Sequence, residues 1–171
     1  ASLQLNATSQ QLCNKPSTEA LSSARKAYLD TLLTWRTIEV APIGPTNNIN
    51  NGRVFELPAA PLATLIEQGK QTPNHVMVDA EAHHHGIKLP DGTIGLPVIA
   101  TLLFHGTPKQ TLQLLKQEKI CAYLQWQSQV VARQITIQQY EWSGLSRGAM
   151  YDMSYPGQFV AEYLSKIIAG A

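Results

Sequence analysis

Apolar positions along this chain recur at steps of three and four, and they nowhere alternate over a length that would build a sheet. The clearest stripe is Leu21, Ala24, Tyr28, Leu32, Trp35 and Ile38, which predicts a helix from a Ser17 N-cap to about Val40. Pro42 ends it, because the residue before a proline avoids the helical region. Ahead of it, Leu3, Leu5 and Leu12 predict a short helix to Asn14, closed by Pro16. Residues 42–58 read as loop, since Pro42, Gly44, Pro45 and the Asn-rich run from Thr46 to Gly52 are turn chemistry. A further short helix is predicted from Pro61 to Gln68, with Gly69 as its C-terminal stop.

Asn74 to His84 also fits a helix, with Gly86, Pro90 and Gly92 marking a loop after it. The stretch from Gly95 to Phe104 predicts a buried amphipathic helix, with Leu96, Ile99, Leu102 and Leu103 on one stripe. Thr107-Pro108-Lys109-Gln110 is a capping box with proline at the first helical position. It opens the longest pattern of the chain: Leu112, Leu115, Ile120, Leu124, Val131, Ile135 and Trp142. One helix through Ser143 and two helices with a break at 117–119 fit this pattern equally. Gly144 to Gly157 read as a linker, and a last helix carries Val160, Tyr163, Leu164, Ile167 and Ile168 on one face. Val54 to Leu57 and Val76 to Val78 are too short to make a sheet. The expected class is therefore all-α, an antiparallel helical bundle over 1–143, then a linker over 144–157 and a crossover helix over 158–171.

Composition adds limits. A chain of 171 residues, 44% hydrophobic and 15% charged, has enough apolar surface for a real core. Its net charge of +1, with no Lys/Arg block, argues against nucleic acid as a partner, because neutralising phosphates takes a concentrated basic surface. No apolar run approaches the roughly 20 residues that span a bilayer. Cys13 and Cys121 fit either one disulfide or two buried thiols. A bridge would close a loop of about 100 residues, worth ~4–5 kcal/mol in the chain-entropy model. Neither cysteine sits in a redox or zinc motif.

The frame Gly95-Leu96-Pro97-Val98-Ile99-Ala100, followed by Leu102-Leu103-Phe104, resembles the signature helix of the imelysin-like family of bacterial cell-envelope proteins. That family writes Gly-x-His-x-x-Glu, or in one branch Gly-Leu-Pro-x-x-Glu, before a Leu-Leu-Phe-like run. Here the His position holds Pro97 and the Glu position Ala100. Trp35, then Pro42-Ile43-Gly44-Pro45, Arg53 and Leu57-Pro58 resemble the family's series of tryptophan, Gly-Pro, arginine and aromatic-Pro. Cys121-Ala122-Tyr123-Leu124 and Trp142 resemble its long central helix, and Gln158 to Gly170 the first helix of its second half. The resemblance implies two related helical bundles, of which this chain is the first plus a crossover helix. It also tips the cysteines toward a Cys13–Cys121 disulfide. Members of the family have been linked to iron uptake and some to peptidase activity, so the cofactor stays open, with a metal ion such as iron as one candidate.

The densest polar cluster is His75, Asp79, Glu81, His83, His84 and His85. Imidazoles and carboxylates at helical spacing suit iron, zinc, copper or nickel, so Asp79, Glu81, His83 and His85 are candidate metal ligands. The plain alternative is an exposed polar loop. Peptidase chemistry needs a metal-polarised water and a general base, and Pro97 and Ala100 supply neither. Arg53 can take a carboxylate or phosphate, or it can hold its own loop through backbone carbonyls. Arg53, Gly95, Pro97 and Ala100 are accordingly the expected ligand-binding positions.

The function expected is non-enzymatic ligand binding in the periplasm or cell envelope after signal removal, linked to iron or other nutrient acquisition. An upstream lipid anchor is compatible with the sequence. A metallopeptidase using residues 75–85 and a pure interaction scaffold are the alternatives. The face formed by Val160, Tyr163, Leu164 and Ile167 is expected to meet a second helical bundle or another copy of the chain.

Overall fold

The computed structural model describes residues 1–39, 44–47, 51–73, 89–151, 157–158, 160–161 and 164–165. Among them there is helix and no strand: α1 Ser2–Asn14, α2 Thr18–Glu39, α3 Leu62–Gln71, α4 Leu96–Leu103, α5 Pro108–Leu115 and α6 Glu118–Tyr151. A 3-10 turn at Gly44–Asn47 and a π-helical turn at Gly52–Glu56 lie between α2 and α3. The short turns occupy the segment that turn-forming residues marked as loop.

Lys15, Pro16 and Ser17 join α1 to α2, and the two helices pack together. Ser17 is the N-cap the sequence predicts: its Oγ accepts the Ala20 N–H at 3.1 Å. On α2, Leu21, Ala24, Tyr28 and Trp35 are buried as their spacing requires, and the stripe loosens at its end, where Ile38 is exposed. In α1, Leu5 and Leu12 are buried and Leu3 faces solvent. The α5 capping box forms, with the Thr107 N–H donating to Gln110 Oε1 at 2.8 Å and the Gln110 N–H to Thr107 Oγ1 at 3.4 Å.

The long pattern after Thr107 resolves into two helices, broken at Lys116 and Gln117. α6 is the axis of the molecule, packing against α1, α3, α4 and α5. Ile120, Tyr123, Leu124, Trp126 and Val131 are buried along it. Cys13, at the end of α1, and Cys121, in the first turn of α6, are joined by a disulfide with their Cα atoms 5.6 Å apart.

Two sequence expectations need correction. Gly69 does not stop α3, which continues to Gln71. The residue is buried, and a Cβ there would lie 3.2 Å from Ile120 Cδ1 and Tyr123 Cγ, so the missing side chain lets α3 lie close to α6. Likewise helix, not linker, runs from Gly144 to Tyr151. A glycine inside a helix costs only about 1 kcal/mol, and propagation from a long anchored helix absorbs that. The helix expected over residues 74–84 lies outside the described residues, as do 152–156 of the expected linker.

Candidate functional site

The start of α4 is fixed from two sides. Gly95 is its N-cap at φ 98°, a backbone state that favours glycine. A Cβ there would stand 2.0 Å from the Val54 carbonyl oxygen. Only a residue without a side chain lets α4 begin against the turn at Gly52–Glu56. The Gly95 N–H donates to Gln127 Oε1 at 2.6 Å, and Gln127 Nε2 donates to the Thr93 carbonyl at 3.0 Å. The Tyr123 hydroxyl donates to that same carbonyl. Burial pushes the Tyr123 phenol up, so it stays a neutral donor. A fully buried glutamine on α6 therefore sets the register of the helix start.

The 51–60 segment is held as firmly. Asn51 is buried, donating to the carbonyls of Pro45 and Thr46 at 3.1 Å each and accepting from Gln134 Nε2 at 2.9 Å. Gln138 Nε2 donates to Pro45 O at 2.9 Å. Further along, the Ala60 N–H donates to Gly92 O at 2.8 Å. Phe55 stacks on Trp35 with ring centroids 4.0 Å apart and planes at 14°.

Between these fixed pieces lies a cleft of about 400 Å³. α2 contributes Tyr28, Leu32 and Arg36, one helical turn apart. The 55–59 segment contributes Phe55, Glu56, Pro58 and Ala59, and α4 contributes Leu96, Pro97, Ala100 and Thr101. The volume is that of a small-molecule site. Most lining residues are apolar, but the surface they leave open to the cleft is more polar than apolar, and Arg36 and Glu56 are the charged groups in the lining. Arg36 is ion-paired to Glu39 one turn on, and its side chain is half-exposed. The hydrogen bond to Glu39, and then the charges of Glu39 and Glu56, hold the guanidinium charged. Burial pushes the Tyr28 phenol up against the opposing pull of Arg36, which keeps it a neutral hydroxyl beside the cation. The Thr101 hydroxyl donates to Pro97 O at 3.1 Å, so its oxygen faces its own helix.

Of the four expected ligand positions, Pro97 and Ala100 are in this wall. Gly95 is buried behind it. Arg53 is not in the lining; its Nη2 donates to Leu89 O at 3.3 Å and stands 3.5 Å from Asp91 Oδ1. That is the loop-holding role its sequence context left open. Asp79, Glu81, His83 and His85 lie outside the described residues. Among the described residues no group of three or more His, Cys, Asp or Glu side chains could hold a metal ion. Val160 and Leu164 of the last helix are exposed, and Tyr163 and Ile167 are outside the described residues.

The sequence pattern did not point to Arg36, Phe55, Glu56 or Thr101, nor to Gln127. Two signals were there. Arg36 continues, one turn on, the row that Tyr28 and Leu32 of the apolar stripe begin. Gln127, Gln134 and Gln138 fall on the stripe of Ile120, Leu124 and Val131, where a polar side chain needs a buried partner.

The family model for imelysin, Peptidase M75, matches residues 1–170. No curated protein and no solved structure matches the chain. Among the described residues, no helix is long and apolar enough to cross a membrane.

Proposed function

The chain belongs to the imelysin family, and on that premise we propose that it is a non-catalytic ligand-binding domain of the periplasm or cell envelope, serving acquisition of iron or another nutrient. Its ligand is held in the cleft between α2, the 55–59 segment and the start of α4. One observation carries this reading: the cleft wall includes Pro97 and Ala100, the positions where the resemblance places the family's His and Glu. Proline and alanine side chains neither ligate a metal nor move a proton, but they do make an apolar wall. The site thereby retains shape and loses the groups that metal-assisted hydrolysis would need. The glycine, glutamine and asparagine contacts around it give a pre-formed seat, which lowers the ordering cost of binding.

The test is a fluorescence titration with 8-anilinonaphthalene-1-sulfonate, on the native chain and on Ala100→Trp, whose indole fills the cleft. The native chain should show one saturable site, and the variant should bind at least about tenfold more weakly, because a filled pocket leaves no room for the probe. Equal binding by both proteins would remove the cleft as the seat. Peptide turnover by the native chain that a chelator abolishes would favour the metallopeptidase reading instead.

A further inference from the structure

We infer, resting on the reading of the cleft as the ligand seat, that its ligand is a small organic monocarboxylate. Its apolar ring or chain lies on Leu32, Pro58, Pro97 and Ala100, and its carboxylate meets Arg36. The lining offers few partners to a bare metal ion. Its one carboxylate is that of Glu56, beside a guanidinium that repels cations. Zinc takes about four ligands and calcium about six to eight.

For an organic acid the same lining is complementary. Arginine presents a planar fork of five N–H donors that matches a carboxylate. Glu39 already accepts at Arg36 Nη1 and ties the side chain to its own helix, so an incoming carboxylate meets the remaining N–H donors of a guanidinium held in place. The Tyr28 hydroxyl, kept neutral by burial, adds a second donor beside the cation. Glu39 and Glu56 limit the charge: one carboxylate finds the free donors of Arg36, but a second would face these two carboxylates across a cleft this small. A polyanionic metal chelate such as ferric citrate is disfavoured for the same reason.

Calorimetry with phenylacetate, its uncharged analogue 2-phenylethanol and the dianion phenylmalonate tests the class directly. The native chain should bind phenylacetate about three- to tenfold more tightly than 2-phenylethanol, the range for a half-exposed, charge-assisted contact. Phenylmalonate should gain nothing over phenylacetate. Arg36→Gln should erase the preference for phenylacetate over 2-phenylethanol, and Arg36→Lys should keep part of it. Equal affinity for acid and alcohol in the native chain, with both lost in Ala100→Trp, would overturn the carboxylate class and leave the cleft as the seat. Binding of both compounds that survives in Ala100→Trp would overturn the cleft itself. Ala59→Trp, on the opposite wall, replaces Ala100→Trp if that variant does not fold. If neither compound binds, the carboxylate class is overturned, and the fluorescence titration decides on the cleft independently.

Discussion

Glycines do two different jobs in this chain, and substitution separates them. At Gly95 an added Cβ meets the Val54 carbonyl at 2.0 Å, and φ is 98°. Backbone strain and a rigid clash add, so Gly95→Ala should lose about 2–5 kcal/mol. At Gly69 the Cβ would meet side-chain atoms of Ile120 and Tyr123 at 3.2 Å. Those can shift, and alanine regains about 1 kcal/mol of helix propensity. Gly69→Ala should therefore stay within about 1 kcal/mol of the native chain. Urea denaturation of the two variants checks this, and a Gly95→Ala protein as stable as the native one would mean that α4 does not begin against Val54. The sequence marked Gly95 through the family resemblance. It misplaced Gly69, because a glycine near a helix end looks the same whether it stops the helix or makes room for a neighbour.

At the scale of elements, the helices that bury a regular stripe were legible. α2 and its Ser17 cap, α4, and the capped start of α5 all follow from spacing and end signals. What was not legible depends on tertiary context. The continuation of α6 through Gly144 could not be read, because a glycine weakens a helix without deciding its end. The two short turns could not be read either, since Asn51, at the start of the one at Gly52–Glu56, and Pro45, in the one at Gly44–Asn47, are held by Gln134 and Gln138 from the distant α6. The disulfide was left open by the residues and favoured only by the resemblance; the fold brings Cys13 and Cys121 together across the α1–α6 contact. Their sequence separation of 108 makes the bridge a strong constraint on the unfolded chain. Replacing both cysteines with serine should cost about 2–5 kcal/mol. Guanidinium denaturation of the double variant beside the native chain measures it. A difference under about 1 kcal/mol would show that the α1–α6 packing holds without the bridge.

At the scale of the whole molecule, the chain belongs to the imelysin family and is helical, without strand, among the described residues. The family frame was visible in the sequence because its apolar positions and glycines are local. The cleft was visible only in part: Pro97 and Ala100 were named from the motif, but the partners facing them come from α2 and the 55–59 segment. No local pattern brings Tyr28, Arg36 and Glu56 to the same cleft as Pro97. The proposed ligand-binding role requires that a ligand sit in that cleft. The most direct measurement is a nitrogen-15 amide spectrum of the chain titrated with phenylacetate. Saturable shifts should concentrate at residues 28–36, 55–59 and 96–101, and they should vanish in Ala100→Trp. Saturable shifts confined to other elements, or the same shifts persisting in Ala100→Trp, would contradict it.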